Sequence, residues 1–338
     1  MKKVIYLFVL IASLLFILKK DNKPLQVLII GGGPAGLAAA IEAKSEGAEV
    51  TLVEKRKDYN RQQVLFLGKT TIGLLTKWRV EPKALSICQA RNGSKVGIIK
   101  ICDLEASLKE KVNHMGVKVL FGEFVKANAK GKKALIRSED KLINLSYDLI
   151  IGADGRESAL RKEFNLPLKK LGKASGTIAF IPMLQKNIPD ITDTIKAGPF
   201  FLRKITLENA SIIFMQSSQE YTLDDFSRCV ADLEWSKEAE LIQKNEVKIF
   251  TGIPVYLQKV ERLSDPENEV LLVGDAAATA SFFEGRGGNT GFKEASLIGP
   301  FIKNFLQDKK KAYLEFNETM KVLTEELVEA SRYLFKDE

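Results

Sequence analysis

Val27-Leu28-Ile29-Ile30-Gly31-Gly32-Gly33-Pro34-Ala35-Gly36-Leu37-Ala38-Ala39-Ala40 is the stretch that decides the fold. The continuous apolar run is that of a parallel strand buried on both faces. It breaks at a glycine turn and continues as an alanine-rich helix. After Gly47 comes a second apolar strand, Val50-Thr51-Leu52-Val53, which ends at Glu54. Strand, glycine turn, helix, strand and acid in that order form a dinucleotide-binding fingerprint. Gly31 allows the tight turn, Gly33 lets the backbone approach a pyrophosphate, and Gly36 lets helix and strand pack closely. Pro34 and Ala35 complete the turn, and the helix N-terminus offers unpaired N–H groups to phosphates. Glu54 stands where ribose hydroxyls would be bound, which suits FAD or NAD better than NADP.

Two more strands end in the same way. Asp148-Leu149-Ile150-Ile151 runs into Gly152-Ala153-Asp154-Gly155, and Val270-Leu271-Leu272-Val273 runs into Gly274-Asp275. Each brings a carboxylate to a turn where a helix begins, a usual way to hold hydroxyls and phosphates at a sheet edge. Farther on, Gly285-Arg286-Gly287-Gly288-Asn289 opens a helix near Asn289, another N-terminus favourable to negative charge.

These stations, in this order, resemble the FAD-dependent monooxygenases of the p-hydroxybenzoate hydroxylase type, known as group A. Gly285, Gly287, Asn289, Gly291, Glu294 and Ala295 fall in register with that family's GxGxNxG and acid-Ala pattern. The resemblance spans about residues 25–310 and implies bound FAD, with NADPH or NADH as transient electron donor and O2 as co-substrate. It further implies that Asp154, Gly274 and Asp275 hold pyrophosphate and ribityl groups, while Gly285, Gly287, Gly288 and Asn289 frame the ring. Glu54-Lys55-Arg56 with Arg61-Gln62-Gln63-Val64 is also similar to MICAL flavin domains, which implies that Arg56 and Arg61 lie over the flavin and its phosphates. Three positions depart from the group A pattern. Cys102 replaces an arginine that reaches the cofactor, Ala278 a histidine, and Phe282 a proline.

The resemblance implies an α/β fold: a Rossmann-type FAD-binding domain with an inserted antiparallel β-sheet substrate domain and a C-terminal helical segment. The corresponding division is a discontinuous cofactor domain at 25–80, 96–171 and 265–310, a substrate sheet at 172–262 and a C-terminal helix at 311–338. Strands are expected at 176–181, 198–205, 210–216, 247–250 and 255–257, and helices at 103–115, 222–244 and 312–335. Phe200, Phe201, Met215, Tyr256, Phe282 and Arg286 are the candidate pocket residues. Arg286 reads equally as a solvated loop charge or a donor to a substrate carboxylate.

Composition excludes much else. The 338 residues are 45% apolar and 28% charged, an ordinary globular mixture. A single histidine, His114, rules out most zinc sites and suits a helix C-terminus. Cys88, Cys102 and Cys229 form no CxxC pair, and Cys88 is expected in a loop-helix region. The chain carries +8, half of it from Lys2, Lys3, Lys19 and Lys20; no basic, aromatic-studded run points to nucleic acid. Between those lysines, residues 4–18 form an apolar run about 22 Å long as a helix, short of a ~30 Å hydrocarbon core. The expectation is an uncleaved membrane anchor within residues 1–20 and a cytoplasmic catalytic domain. A cleaved signal with export, or a soluble cytoplasmic chain, is the alternative.

The functional expectation is NAD(P)H-driven hydroxylation or epoxidation of a small apolar or aromatic compound through a flavin C4a-hydroperoxide. Two alternatives stay open: a flavin reductase or cyclase acting on a lipid or isoprenoid, and a degenerate, non-catalytic flavoprotein scaffold.

Overall fold

A computed structural model describes residues 23–89, 93, 95–183, 190–244 and 246–335. The apolar run at residues 4–18, expected to be an anchor, lies outside them. Among the described residues, no helix is long and apolar enough to cross a membrane.

The chain begins with β1 (Gln26–Ile30), α1 (Pro34–Ser45) and β2 (Glu49–Glu54). Next come β3 (Val64–Leu67), α2 (Lys69–Lys77), β4 (Ser86–Gln89), β5 (Lys95–Lys100), α3 (Ile101–His114) and β6 (Lys118–Phe121). A meander, β7 (Glu123–Asn128), β8 (Lys133–Ser138) and β9 (Lys141–Ser146), leads into β10 (Leu149–Gly152) and the short α4 (Ala159–Glu163). The second sheet uses β11 (Leu168–Pro182), β12 (Asp190–Ile191), β13 (Ile195–Ala197), β14 (Phe200–Thr206) and β15 (Ala210–Ser217). After α5 (Leu223–Asp232) and α6 (Ser236–Gln243), β16 (Lys248–Val260) crosses back. The chain closes with β17 (Ser264–Asp265), β18 (Val270–Leu272), β19 (Ala278–Thr279), α7 (Arg286–Ser296), α8 (Ile298–Phe305) and α9 (Lys309–Ser331).

The first sheet has the order β17-β18-β10-β1-β2-β6, parallel except for β17. From β1 the chain moves to β2 on one side, while β10 lies on the other. That reversal places a crevice at the carboxyl ends of the central strands, where open α/β sheets bind ligands. Gly31 N–H donates to the Val53 carbonyl at 2.8 Å and Ala153 N–H to the Ile30 carbonyl at 2.7 Å, so the three strand ends lie level. The core of this half is the apolar sheet packed on α1, whose Leu37 to Ile41 are all buried.

The second sheet, order β12-β14-β15-β11-β16-β19, is antiparallel. One face joins β3, Phe282 and the C-terminal Leu334 and Phe335 in an apolar cluster; the other packs on α5 and α6.

Several elements differ from expectation. The strands expected at 247–250 and 255–257 are one strand, β16, because Gly252 takes φ +66° and a register shift opposite Gly176 and Ile178 absorbs the irregularity. The helix expected at 222–244 breaks into α5 and α6 at Glu234, which has φ +58°. Cys88 sits on β4, not in a loop-helix region. β5 runs straight into α3 through an extended Lys100, so Cys102 lies in the helix's first turn and not before it. Asp308 accepts from Lys311 N–H and starts α9 three residues earlier than the apolar spacing suggests, while Leu314 is left exposed.

Candidate functional site

The glycine turn is held by contacts that leave no room for side chains. A Cβ on Gly31, whose φ is +105°, would overlap the Ala153 carbonyl, and one on Gly36 would overlap the Gly31 carbonyl oxygen. A Cβ on Gly33 would lie 3.4 Å from the Arg61 guanidinium, which places Arg61 over the turn.

Glu54 is buried beneath this turn. It accepts from Gly32 N–H at 2.7 Å, from Arg56 N–H at 2.8 Å and from Arg56 Nε at 3.0 Å. Burial works to raise its pKa, but the Arg56 and Gly32 hydrogen bonds outweigh it and hold the carboxyl below its usual range. Lys55 beside it is exposed. Arg61 pairs with Glu105, a fully buried acid on α3 that Arg56 also approaches at 3.5 Å. The sequence reading missed Glu105, because nothing local marks an acid on the inner face of a helix as an arginine holder. Tyr59 completes the group under Arg56 and Lys109, and burial raises its pKa.

The other two carboxylates sit at neighbouring strand ends. Asp154 Oδ2 accepts from Ala159 N–H at 2.7 Å and Leu160 N–H at 3.1 Å, capping α4. Asp275 opens into the crevice, with Gly287 at its side. Protein packed around the crevice pushes its pKa up, opposed by Arg61 and Arg156. Glu294 lies behind that turn, buried, and accepts from Gly274 N–H at 2.5 Å; burial lifts its pKa to about 8. Arg161 ties the two turns together, donating to the Ala276 carbonyl at 3.0 Å and the Arg156 carbonyl at 2.7 Å.

α7 begins at Arg286, after Gly285 in the left-handed region with φ +66°. Gly285 and Gly288 press against Phe66 and Leu65 of β3. Asn289, expected to frame a ring, spends its side chain elsewhere. Its oxygen accepts from Gly68 N–H at 2.8 Å and Thr71 Oγ1 at 2.6 Å, and its nitrogen donates to the Phe66 and Gly285 carbonyls at 2.6 and 2.8 Å. It clamps β3 and α2 onto α7.

Three of the candidate pocket residues, Phe282, Tyr256 and Arg286, are not brought together. Phe282 stacks on Phe214 at 6.1 Å and overlies Gly176, the apolar side of the site. Tyr256 points to the opposite face of β16, under Arg156 at 4.3 Å. Arg286 is exposed. Met215 and Phe200 also leave the proposed lining: they belong to the cluster on α5 and α6. Phe201 stacks on Tyr333.

A family model described as FAD binding domain matches residues 86–319, more than half of the chain, and one described as FAD dependent oxidoreductase matches residues 26–59. The chain belongs to the FAD-binding-domain family of group A flavin monooxygenases. Among family relatives, it is 36% identical over 154 residues to the F-actin monooxygenase mical2b of Danio rerio, covering 41% of this chain and 9% of that protein. It is 28% identical over 187 residues to the FAD-dependent monooxygenase OpS4 of Beauveria bassiana, covering 47% of this chain and 44% of the relative. The chain thus spans a small part of the length of the MICAL relatives. The fold is shared with 2-methyl-3-hydroxypyridine-5-carboxylic acid oxygenase in its tetrameric form, at a TM-score of 0.69 and 18% identity over 92% of this chain and 91% of that one. It is also shared with the flavin-dependent brominase Bmp2, at a TM-score of 0.70 and 12% identity over 87% and 83%.

The residues present fit FAD. Tyr59 Oη, Arg61 Nε, Glu105 Oε2 and Asp154 Oδ1 are buried polar atoms without a hydrogen-bond partner among the described residues. Such atoms are rare in folded proteins, and four of them around one glycine turn are what a pyrophosphate and ribose would satisfy.

Proposed function

We propose that the chain is an NAD(P)H-driven, FAD-dependent monooxygenase acting on a small apolar or aromatic compound. The observation that carries this reading is the cluster of unsatisfied buried donors and acceptors around Gly31–Gly33, facing a crevice at the ends of β1, β2 and β10. Bound FAD, reduced by a nicotinamide, would supply oxygen activation there. The chain's own contribution is to bind, orient and keep water out. Arg61, held over the turn by Glu105, would meet phosphate charge, and Glu54 would meet ribose hydroxyls through its remaining lone pairs. Asp154 and Asp275 would take pyrophosphate and ribityl groups. The N–H groups at the start of α7 would stabilise negative charge on a reduced ring. Phe66, Phe214 and Phe282, ringed by Ile178, Leu334 and Phe335, form an apolar wall of the kind that shields a reactive oxygen species from water.

The Cys102 departure is compensated in this reading. Arg61 arrives from the β2–β3 connection, and its carbonyl accepts from Cys102 N–H at 3.0 Å, so a cation stands beside the place where the group A arginine is absent.

The test is the visible absorbance of the purified full chain during an anaerobic titration with NADPH and with NADH. A flavin band that bleaches and returns with O2 consumption on readmitting air is expected. No flavin band after adding FAD would overturn the cofactor reading, and reoxidation without O2 consumption would make the chain a reductase. Asp275→Ala should purify with far less FAD; full occupancy would remove Asp275 from the site.

A further inference from the structure

Behind the Asp154 turn, between α4 and the strands β11 and β16, lies a cavity of about 400 Å³. It is built by strand alternation: Tyr256 and Gln258 of β16 face it, while Val255 and Leu257 face the apolar cluster on the other side. Opposite, Leu168 and Lys170 face it from β11, Gln258 being paired with Lys170 in register.

Gln258 is only 4% exposed and lines the cavity; no side-chain hydrogen bond holds its amide among the described residues, and neither amide atom is sealed from solvent. The amide therefore opens into the cavity, where a ligand group can pair with it. The charges around it are unbalanced. Arg161, Lys162 and Lys170 face a single acid, Glu157, which Lys162 at 3.3 Å and Arg156 at 3.2 Å already engage. The rest of the wall is apolar: two leucines and the Tyr256 ring, fixed from outside by Arg156.

We infer that this cavity binds a small planar carboxylic acid. Its ring lies on Tyr256 and the leucines, a carbonyl or hydroxyl group pairs with the Gln258 amide, and the carboxylate meets Lys162 and Lys170. The volume suits a compact ligand, at the lower end of the ~300–1,000 Å³ usual for small-molecule sites. Apolar walls and the nearby Glu157 disfavour a polyphosphate. Arg156 and Arg161 connect the cavity to the Asp275 turn, so occupancy is coupled to the crevice without requiring that FAD be bound.

Calorimetric titration of the full chain with 2-naphthoate tests this, with naphthalene-2-carboxamide as the uncharged control. Binding should be detected at about 1 mM and weaken about tenfold for the carboxamide, for Gln258→Leu and for Lys170→Glu. The melting temperature of Gln258→Leu should be unchanged, because the side chain makes no hydrogen bond to the described protein, and FAD content should be unaltered in both variants. Absence of naphthoate binding, or binding that neither variant weakens, overturns the site. A fall in melting temperature for Gln258→Leu overturns the argument that the amide is kept for a ligand. If NADPH displaces naphthoate and both variants weaken NADPH, the cavity is a nucleotide site and the planar-acid assignment is wrong.

Discussion

Asn289→Ala should destabilise the protein even without cofactor. The side chain makes four hydrogen bonds, to Gly68, Thr71, Phe66 and Gly285, at 2.6–2.8 Å. At about 1 kcal/mol net apiece, they total about 4 kcal/mol. Asn289 is half-buried, so water can replace some partners, whereas Thr71 is fully buried and its hydroxyl would lose its acceptor. The expected loss is therefore about 2–4 kcal/mol. Urea unfolding of the FAD-free protein measures it, with the denaturant slope unchanged between parent and variant. Asn289→Asp keeps the acceptor for Gly68 and Thr71 but turns a carboxylate oxygen onto the Phe66 and Gly285 carbonyls, and should be at least as destabilising as the alanine variant. A residue that touches the ring directly would behave differently: the apo protein would be as stable as the parent to within about 0.5 kcal/mol, and only FAD affinity would drop. That outcome would refute the clamp.

Three further outcomes follow from the same geometry. Glu294 has a folded-state pKa of about 8 against an ordinary 4.5, so the folded protein holds a proton that the unfolded chain has released; stability is greatest below the lower value and falls as pH rises towards the upper. Glu294→Gln, which keeps an acceptor for Gly274 N–H, should flatten that decline in urea midpoints measured from acid to mildly alkaline pH. Gly36→Ala forces a Cβ into the Gly31 carbonyl and should abolish FAD retention and lower the melting temperature; a variant that retains FAD would show that the turn can shift. Trp78→Phe removes the 2.6 Å hydrogen bond from its indole N–H to buried Glu42, leaving Lys77 as that acid's remaining partner among the described residues; urea unfolding should show a loss of about 1–3 kcal/mol.

The glycine turn, the two carboxylate turns and the order of the main strands were readable from the chain because each is locally determined. Gly31 needs its positive φ, and β1 and β10 need apolar residues on both faces; a helix follows the Gly31 and Asp154 turns, whereas the Asp275 turn, expected to open a helix, leads through one 3-10 turn into β19. Where neighbours within a few residues decide, the pattern in the sequence suffices, and the resemblance to group A flavoproteins extended it to the cofactor. Less local features were misjudged. The break at Glu234, the merging of two strands into β16 and the early start of α9 depend on what those segments pack against.

The assignment of side-chain work was left to the tertiary structure. Asn289 looks like a cofactor residue in its motif, yet it acts on Gly68, 221 residues away in sequence. Arg161 reads as a helix charge, but it links two turns through Ala276, 115 residues away. Glu105 gains its role only because α3 places it under Arg61, and Gln258 because β11 and β16 pair so that its amide opens into a cavity. A linear pattern specifies which groups a segment carries and what backbone it can adopt. Which groups meet, and so which stay unsatisfied and ready for a ligand, is set by strand pairing and helix packing over long sequence separations.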